Sequence, residues 1–288
     1  MVFVSAMTRL VHLSDIHLQI DWRQRSLWSS GWRGAPGRFE LHGLGRLRRF
    51  HGVHDSIRRL VDKALGREPH HVLLTGDLTA LGDEVEFAHV RSLFAPLLAE
   101  GRLTVIPGNH DRYTDTPGSR VFERMFASEL RSDLPEHADA RGYPFVKLLG
   151  KRLALVGLDS TRVNSWGHYV VGRLGRKQLG RLGRVLDDSR LAGRTVLVLT
   201  HHGPAGPSGR FDWRESGLLD AAQFSRVLCG RDVIVAHGHS HHRYWHRALG
   251  GAPHTFGGGS STEGAGAGFW QLDVDTHRLL EATAHPLA

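Results

Sequence analysis

RDVIVAHGHSHH, residues 231–242, runs from an apolar stretch straight into His237, His239, His241 and His242, with one glycine between the first two. Val, Ile and Val in succession are strand formers. If the run stays extended, a period of two puts His237 and His239 on one side of it, where two imidazoles could grip a metal. The competing reading is a polar loop in a chain that holds 21 histidines.

The same phrase recurs elsewhere: RLVHLSDIH (9–17), HVLLTGD (71–77), RLTVIPGNHD (102–111) and RTVLVLTHH (194–202) are short Val/Ile/Leu-rich runs that stop at Asp, Asn or His. Most are nearly unbroken rather than alternating, which suits strands covered on both faces. Between them lie segments of helical period, with apolar residues at Val53, Ile57, Leu60, Val61, Ala64 and Leu65, at Val90, Leu93, Phe94, Leu97 and Leu98, and at Leu179, Leu182, Val185 and Leu186. Strand alternating with helix predicts an α/β architecture with a partly parallel sheet, whose sites form beyond the carboxyl ends of the strands. All five polar clusters fall at such ends. A sixth run, RLALVGLDS (152–160), predicts a strand with Asp159 as a turn or cap residue. APHTFGGGSS (252–261) and GFWQLDVD (268–275) read as further strands around a Gly-rich turn, which lacks the lysine and strand-loop-helix setting of a phosphate-binding loop. No internal repeat or linker divides the chain, so residues 1–288 read as one domain.

The formal net charge of +8 favours anionic partners. Its cations are almost all arginines, with Lys63, Lys147, Lys151 and Lys177 the only lysines, and their scatter along the chain reads as a solvated surface rather than a nucleic-acid face. No apolar stretch approaches the roughly 20 residues of a spanning helix, and the opening MVFVSAM lacks a basic leader region. The expectation is a cytoplasmic protein with no transmembrane segment. Cys229 is the sole cysteine, which excludes an intrachain disulfide.

Taken together, Asp15, His17, Asp77, Asn109, His110, His201, His237 and His239 offer carboxylate, amide oxygen and imidazole, a ligand set for divalent metals of borderline hardness. Even without His110, the seven remaining donors exceed the needs of one ion. Two ions roughly 3.5 to 4 Å apart, sharing a carboxylate, use that number and form a clamp for in-line displacement at phosphorus. Gly76, Gly108 and Gly238, next to the donors, allow close backbone approach.

The ordered set DIH (15–17), GD (76–77), GNHD (108–111), HH (201–202) and HGHSH (237–241) resembles the signature of calcineurin-like metallophosphoesterases, over most of the chain. The resemblance implies a four-layer α/β/β/α sandwich with mixed sheets and a dinuclear centre of divalent transition metals, Mn, Fe or Zn. It implies Asp15, His17 and His239 on one ion, Asn109, His201 and His237 on the other, and Asp77 bridging. His241 and His242 match no ligand position and read as surface or supporting residues. Hydroxide generated between the ions would attack phosphorus, with His110 as the catalytic general acid for the leaving group. Asp111 would orient His110 or cap the following turn, and His202 would contact substrate or pack.

The GNHD form together with HH and HGHSH is similar to the cyclic-nucleotide and glycerophosphodiester phosphodiesterase branch, which implies a small phosphodiester substrate. The alternatives are a phosphomonoesterase or a lipid or nucleotide-sugar pyrophosphatase of the same family, ahead of a nuclease or a non-catalytic binding module. Residues 21–52 interleave Trp22, Trp28, Trp32 and Phe39 with many arginines, and read as a structural flap or a lid that grips phosphate esters. Members of the family often form homodimers, although no segment of this sequence marks an interface.

Overall fold

Each apolar run of the sequence is a strand in the computed structural model, which describes residues 7–20, 53–115, 120–164, 167–168, 170–211, 217–264, 266–276 and 278–287. The arginine- and tryptophan-rich segment 21–52 lies outside the described residues. One sheet has the order β13-β12-β1-β2-β3, built from β1 (Thr8–Leu13), β2 (His71–Thr75), β3 (Leu103–Ile106), β12 (Gly268–Asp275) and β13 (Arg278–Pro286). The second has the order β10-β11-β9-β8-β5-β4, from β4 (Phe145–Leu149), β5 (Leu153–Gly157), β8 (Thr195–Leu199), β9 (Val233–His237), β10 (Arg243–Leu249) and β11 (Ala252–Gly258). β6 (Val163–Asn164) and β7 (Gly167–His168) form a separate hairpin. Within both sheets the central pairs are parallel; antiparallel strands close both edges of the second sheet and the β12–β13 side of the first, whose other edge is the parallel strand β3.

Side-chain alternation sets the layers. On β5, β8 and β9, Leu155, Leu199 and Ala236 join a core shared with the first sheet, while Val156, Val198 and Val235 join a second core. That second core contains Leu179, Leu182 and Val185 of α5 (Gly175–Leu186) and Phe224 of α6 (Ala221–Leu228). Behind the first sheet lie α1 (Val53–Leu65), α2 (Glu84–Leu93) and α3 (Ala95–Ala99), through Ile57, Leu60, Phe87, Val90 and Leu97. The order is therefore helix, sheet, sheet, helix, the four-layer arrangement that the resemblance implies. The short α4 (Val121–Met125) packs beside α2 through Phe122 and Phe126.

The helical period over 90–98 is divided between two helices that meet at Phe94. Pro96, in the first turn of α3, has no N–H to continue the ladder of α2. Edge strands β4, β10 and β13 were not expected from the sequence, and β10 and β13 have no fully buried residue.

His71 opens β2 almost fully buried, its Nε2 2.8 Å from the Thr104 hydroxyl on β3. Burial, with Lys147 and Arg102 nearby, pushes it down to about 3 from 6.5. A folded-state value below the unfolded one means that the unfolded chain takes up the proton first as pH falls. The stabilising effect is thus complete above pH 6.5 and is lost progressively as pH drops toward 3. One pH unit below 6.5 the loss is about 1.4 kcal/mol. Urea unfolding at pH 7.5 and 5.5 should show that His71→Gln shrinks the acid-induced drop by about this amount; an equal drop in variant and parent would refute the assignment.

Candidate metal centre

The loops after β1 and β2 turn in lockstep. The Asp15 N–H donates to the Gly76 carbonyl at 3.1 Å and the His17 N–H to the Asp77 carbonyl at 3.0 Å. Asp15, His17 and Asp77 all adopt positive φ, at 51°, 43° and 51°, as do His239 at 73° and His241 at 54°. Only Glu68 and Ala248 share that conformation among the other described non-glycine residues. Such backbone costs about 1–3 kcal/mol per residue and persists where the surroundings over-determine it, which is characteristic of functional sites. Glycine is required where loops meet: a Cβ on Gly108 would collide with the backbone N and Oδ1 of Asp77, and one on Gly238 with Ser14 Oγ and Asp15 Oδ2.

Two groups of donor atoms result. Asp15, His17, Asp77 and His241 each present one atom within 4.8 Å of the others, and His201, His202 and His239 do the same. Asn109 Oδ1 enters the second group, 3.1 Å from His201 Nε2 and 3.2 Å from His239 Nδ1. The carboxylate of Asp77 faces both, with Oδ2 3.8 Å from His17 Nε2 and Oδ1 3.4 Å from His201 Nε2.

Of the seven expected ligands, Asp15, His17, Asp77, Asn109, His201 and His239 are brought together, and His237 is not. Its Nδ1 lies 3.0 Å from the Gly238 carbonyl and its Nε2 3.0 Å from the hydroxyl of Tyr244 on β10. The physical reason is that the strand ends at His237. Positive φ at His239 breaks the extended period, so the two histidines do not project together. His241, expected outside the ligand set, stands in the first group, its Nε2 3.0 Å from His17 Nε2 and 3.4 Å from Asp15 Oδ1.

His202 borders the second group without a nitrogen to spare. Its Nδ1 is 2.8 Å from Ser160 Oγ, and its Nε2 is 2.8 Å from the Val170 carbonyl. Its ring packs on His239 at 4.4 Å between centroids.

Burial raises Asp15, but the His241 hydrogen bond and the charges of His201 and His241 outweigh it and hold the carboxyl down to about 2. Asp77 is likewise held well below the usual carboxylate range, against burial, by His201 and His110. The reciprocal effect lifts His201 to about 9, where Asp77 overcomes burial. Neither carboxylate pairs with lysine or arginine among the described residues. Two buried carboxylates, an amide oxygen and four imidazoles fit a pair of borderline divalent cations at those positions.

His110 stands at the rim, partly exposed, its ring edge-on to His17 at 4.7 Å. Its backbone N–H donates to Asp77 Oδ1 at 2.8 Å, and its Nδ1 lies 3.1 Å from the Ala80 carbonyl. An N–H at Nδ1 directed to that carbonyl leaves Nε2 to hold or release a proton. Asp111 does not orient His110. Its carboxylate accepts the N–H groups of Gly108, Leu78 and Thr79 at 2.9, 3.2 and 3.0 Å and the Thr79 hydroxyl at 2.8 Å, clamping the two ligand loops together. The next residue, Arg112, is buried against Asp115, Glu123 and Asp159, at 2.9, 2.7 and 3.2 Å. Asp159 also caps its own turn through the Thr161 N–H at 2.8 Å.

The calcineurin-like phosphoesterase profile matches residues 8–243. Among solved structures, a dimetal phosphatase from Danio rerio is 15% identical with a TM-score of 0.61, over 98% of this chain and 99% of that one. The purple acid phosphatase PPD1 from yellow lupin (Lupinus luteus) seeds is 14% identical with a TM-score of 0.56, over 98% and 52%. A putative 5'-nucleotidase from Staphylococcus aureus is 13% identical with a TM-score of 0.54, over 98% and 54%. No curated protein sequence matches the chain.

Proposed function

The chain belongs to the calcineurin-like phosphoesterase family, whose members are metal-dependent phosphoric ester hydrolases, and on that premise we propose that it hydrolyses a small phosphodiester. The observation that carries the dinuclear reading is the carboxylate of Asp77, whose two oxygens face the two donor groups separately. On this reading Asp15, His17 and His241 would hold one divalent cation and Asn109, His201 and His239 the other, with the Asp77 carboxylate facing both groups. The histidine assignment is thereby moved two residues along the chain from the one that the sequence resemblance implies. Mn, Fe or Zn suits these ligands.

Two cations held there would supply Lewis acidity, lowering the pKa of water and polarising the phosphoryl oxygens. The protein residues do the rest. Asp111 keeps the loops carrying Asp77 and Asn109 in register. His202, packed on His239, holds that imidazole in place. His110 delivers a proton from Nε2 to the leaving alkoxide. The diester reading rests on the resemblance of GNHD, HH and HGHSH to the phosphodiesterase branch. A cytoplasmic location belongs to this proposal and rests on the single cysteine; separately, no helix among the described residues is long and apolar enough to cross a membrane.

The test compares bis(p-nitrophenyl) phosphate with p-nitrophenyl phosphate on the Mn-loaded enzyme. We expect kcat/KM for the diester to be at least about tenfold higher, the worth of one misplaced interaction of roughly 1.4 kcal/mol. A clear preference for the monoester would overturn the diester reading and leave family membership intact.

A further inference from the structure

The outer face of α5 carries charge that the catalytic reading does not use. Residues 173–186 read RLGRKQLGRLGRVL, with five cations and no acidic residue. Arg181 is engaged, its guanidinium donating to the carbonyls of His137 and Ala138. Arg173, Arg176, Lys177 and Arg184 are exposed, and none makes a side-chain hydrogen bond or ion pair among the described residues. At about 100° per residue, Arg176, Lys177 and Arg184 lie within roughly 60° of Gly180 on the helix surface, and form one stripe. Nearby acids are committed elsewhere: Asp187 pairs with Arg231 at 2.9 Å, Asp188 with Arg190 and His137, and Asp220 accepts the N–H groups of Leu174 and Gly175.

Gly180 and Gly183 add an independent feature. Both sit inside the helix, where glycine is a poor choice compared with alanine. A Cβ at either position would meet nothing within 4 Å, so no contact among the described residues requires a glycine there. Their effect is a bare strip of helix backbone between flanking cations, low enough for a strand to lie on.

We propose that this face of α5 is a docking surface for the sugar-phosphate backbone of a nucleic acid. Regularly spaced cations without intervening acids match a polymer of singly charged phosphates. An anionic membrane surface fits less well, because interfacial helices present apolar side chains beside their cations. Here Leu179, Leu182 and Val185 are all buried in the core under α5. Just before α5, the Arg173 backbone N–H donates to the carbonyl of Ser160, whose hydroxyl holds His202. A bound strand would therefore lead away from the metal centre.

The test is fluorescence anisotropy of a labelled single-stranded oligonucleotide with the full chain, read across a salt series. The triple variant Arg176→Gln, Lys177→Gln, Arg184→Gln should bind at least tenfold more weakly, and the slope of log affinity against log salt should fall by about 2, at roughly 0.7 per phosphate contact. Turnover of bis(p-nitrophenyl) phosphate should not change, since no altered side chain touches the centre. Gly180→Ala with Gly183→Ala should raise the melting temperature while weakening oligonucleotide binding, a pairing that loss of structure cannot produce. Unchanged affinity and slope in the triple variant would overturn the proposal. So would binding to phosphatidylserine vesicles in place of the oligonucleotide. Because the readout is binding, it stands or falls separately from the diesterase reading.

Discussion

Replacing His241 by alanine is expected to lower kcat/KM about a thousandfold and to reduce the bound metal from two equivalents toward one. The magnitude follows from the site. Asp15 is fully buried, and His241 is the side chain that faces its Oδ1, at 3.4 Å, beside the His239 backbone N–H at 3.1 Å. Removing one partner of a buried charge costs about 3–5 kcal/mol, which at 1.36 kcal/mol per decade is on the order of a thousandfold. His237→Phe is the companion variant. The ring is kept in its place beside Gly203, and the Tyr244 hydroxyl retains the Ala205 carbonyl at 2.5 Å. That protein should lose some stability yet hold two metal equivalents and keep kcat/KM within about tenfold, the smaller end of what outer-shell changes cost. Metal content by elemental analysis, paired with kinetics, decides the matter. A loss of metal in His237→Phe with normal content in His241→Ala would restore the assignment that the resemblance implies.

This contrast shows how far the sequence can be read. The parallel strands were legible because strands covered on both faces need unbroken apolar runs. Edge strands β10 and β13 were not legible, since partly exposed positions impose no apolar pattern. Six donors followed from the same strand ends. The histidine assignment proposed above rests on where β9 stops and on the left-handed backbone at His239 and His241, neither of which alternation reveals. A usable signal was nevertheless present: Asp77 and Asn109 each follow a glycine that a loop crossing demands, and in residues 237–241 the histidine that follows glycine is His239. Arg112 gave no signal at all. An arginine after GNHD reads as solvated, and its burial depends on Glu123 and Asp159, which the fold brings from distant segments.

His110→Ala should lower kcat by 10²- to 10³-fold on diesters with alkyl leaving groups, within the usual range for positioned general acids, while leaving two metal equivalents bound. Metal retention is expected because the contact of His110 with Asp77 is made by its backbone N–H, at 2.8 Å, which alanine preserves. The loss should depend on the leaving group. An alkoxide needs a proton as its bond to phosphorus breaks, whereas p-nitrophenolate departs with little help, so bis(p-nitrophenyl) phosphate should suffer less than about tenfold. KM should move little, since a proton delivered in the transition state adds nothing to ground-state binding. His110→Gln keeps a polar group near the Ala80 carbonyl but has no transferable proton, and should match alanine on the alkyl diester. Equal losses on both leaving groups would show that His110 acts by stabilising charge on the phosphoryl oxygens, and full recovery by glutamine would remove the acid role altogether.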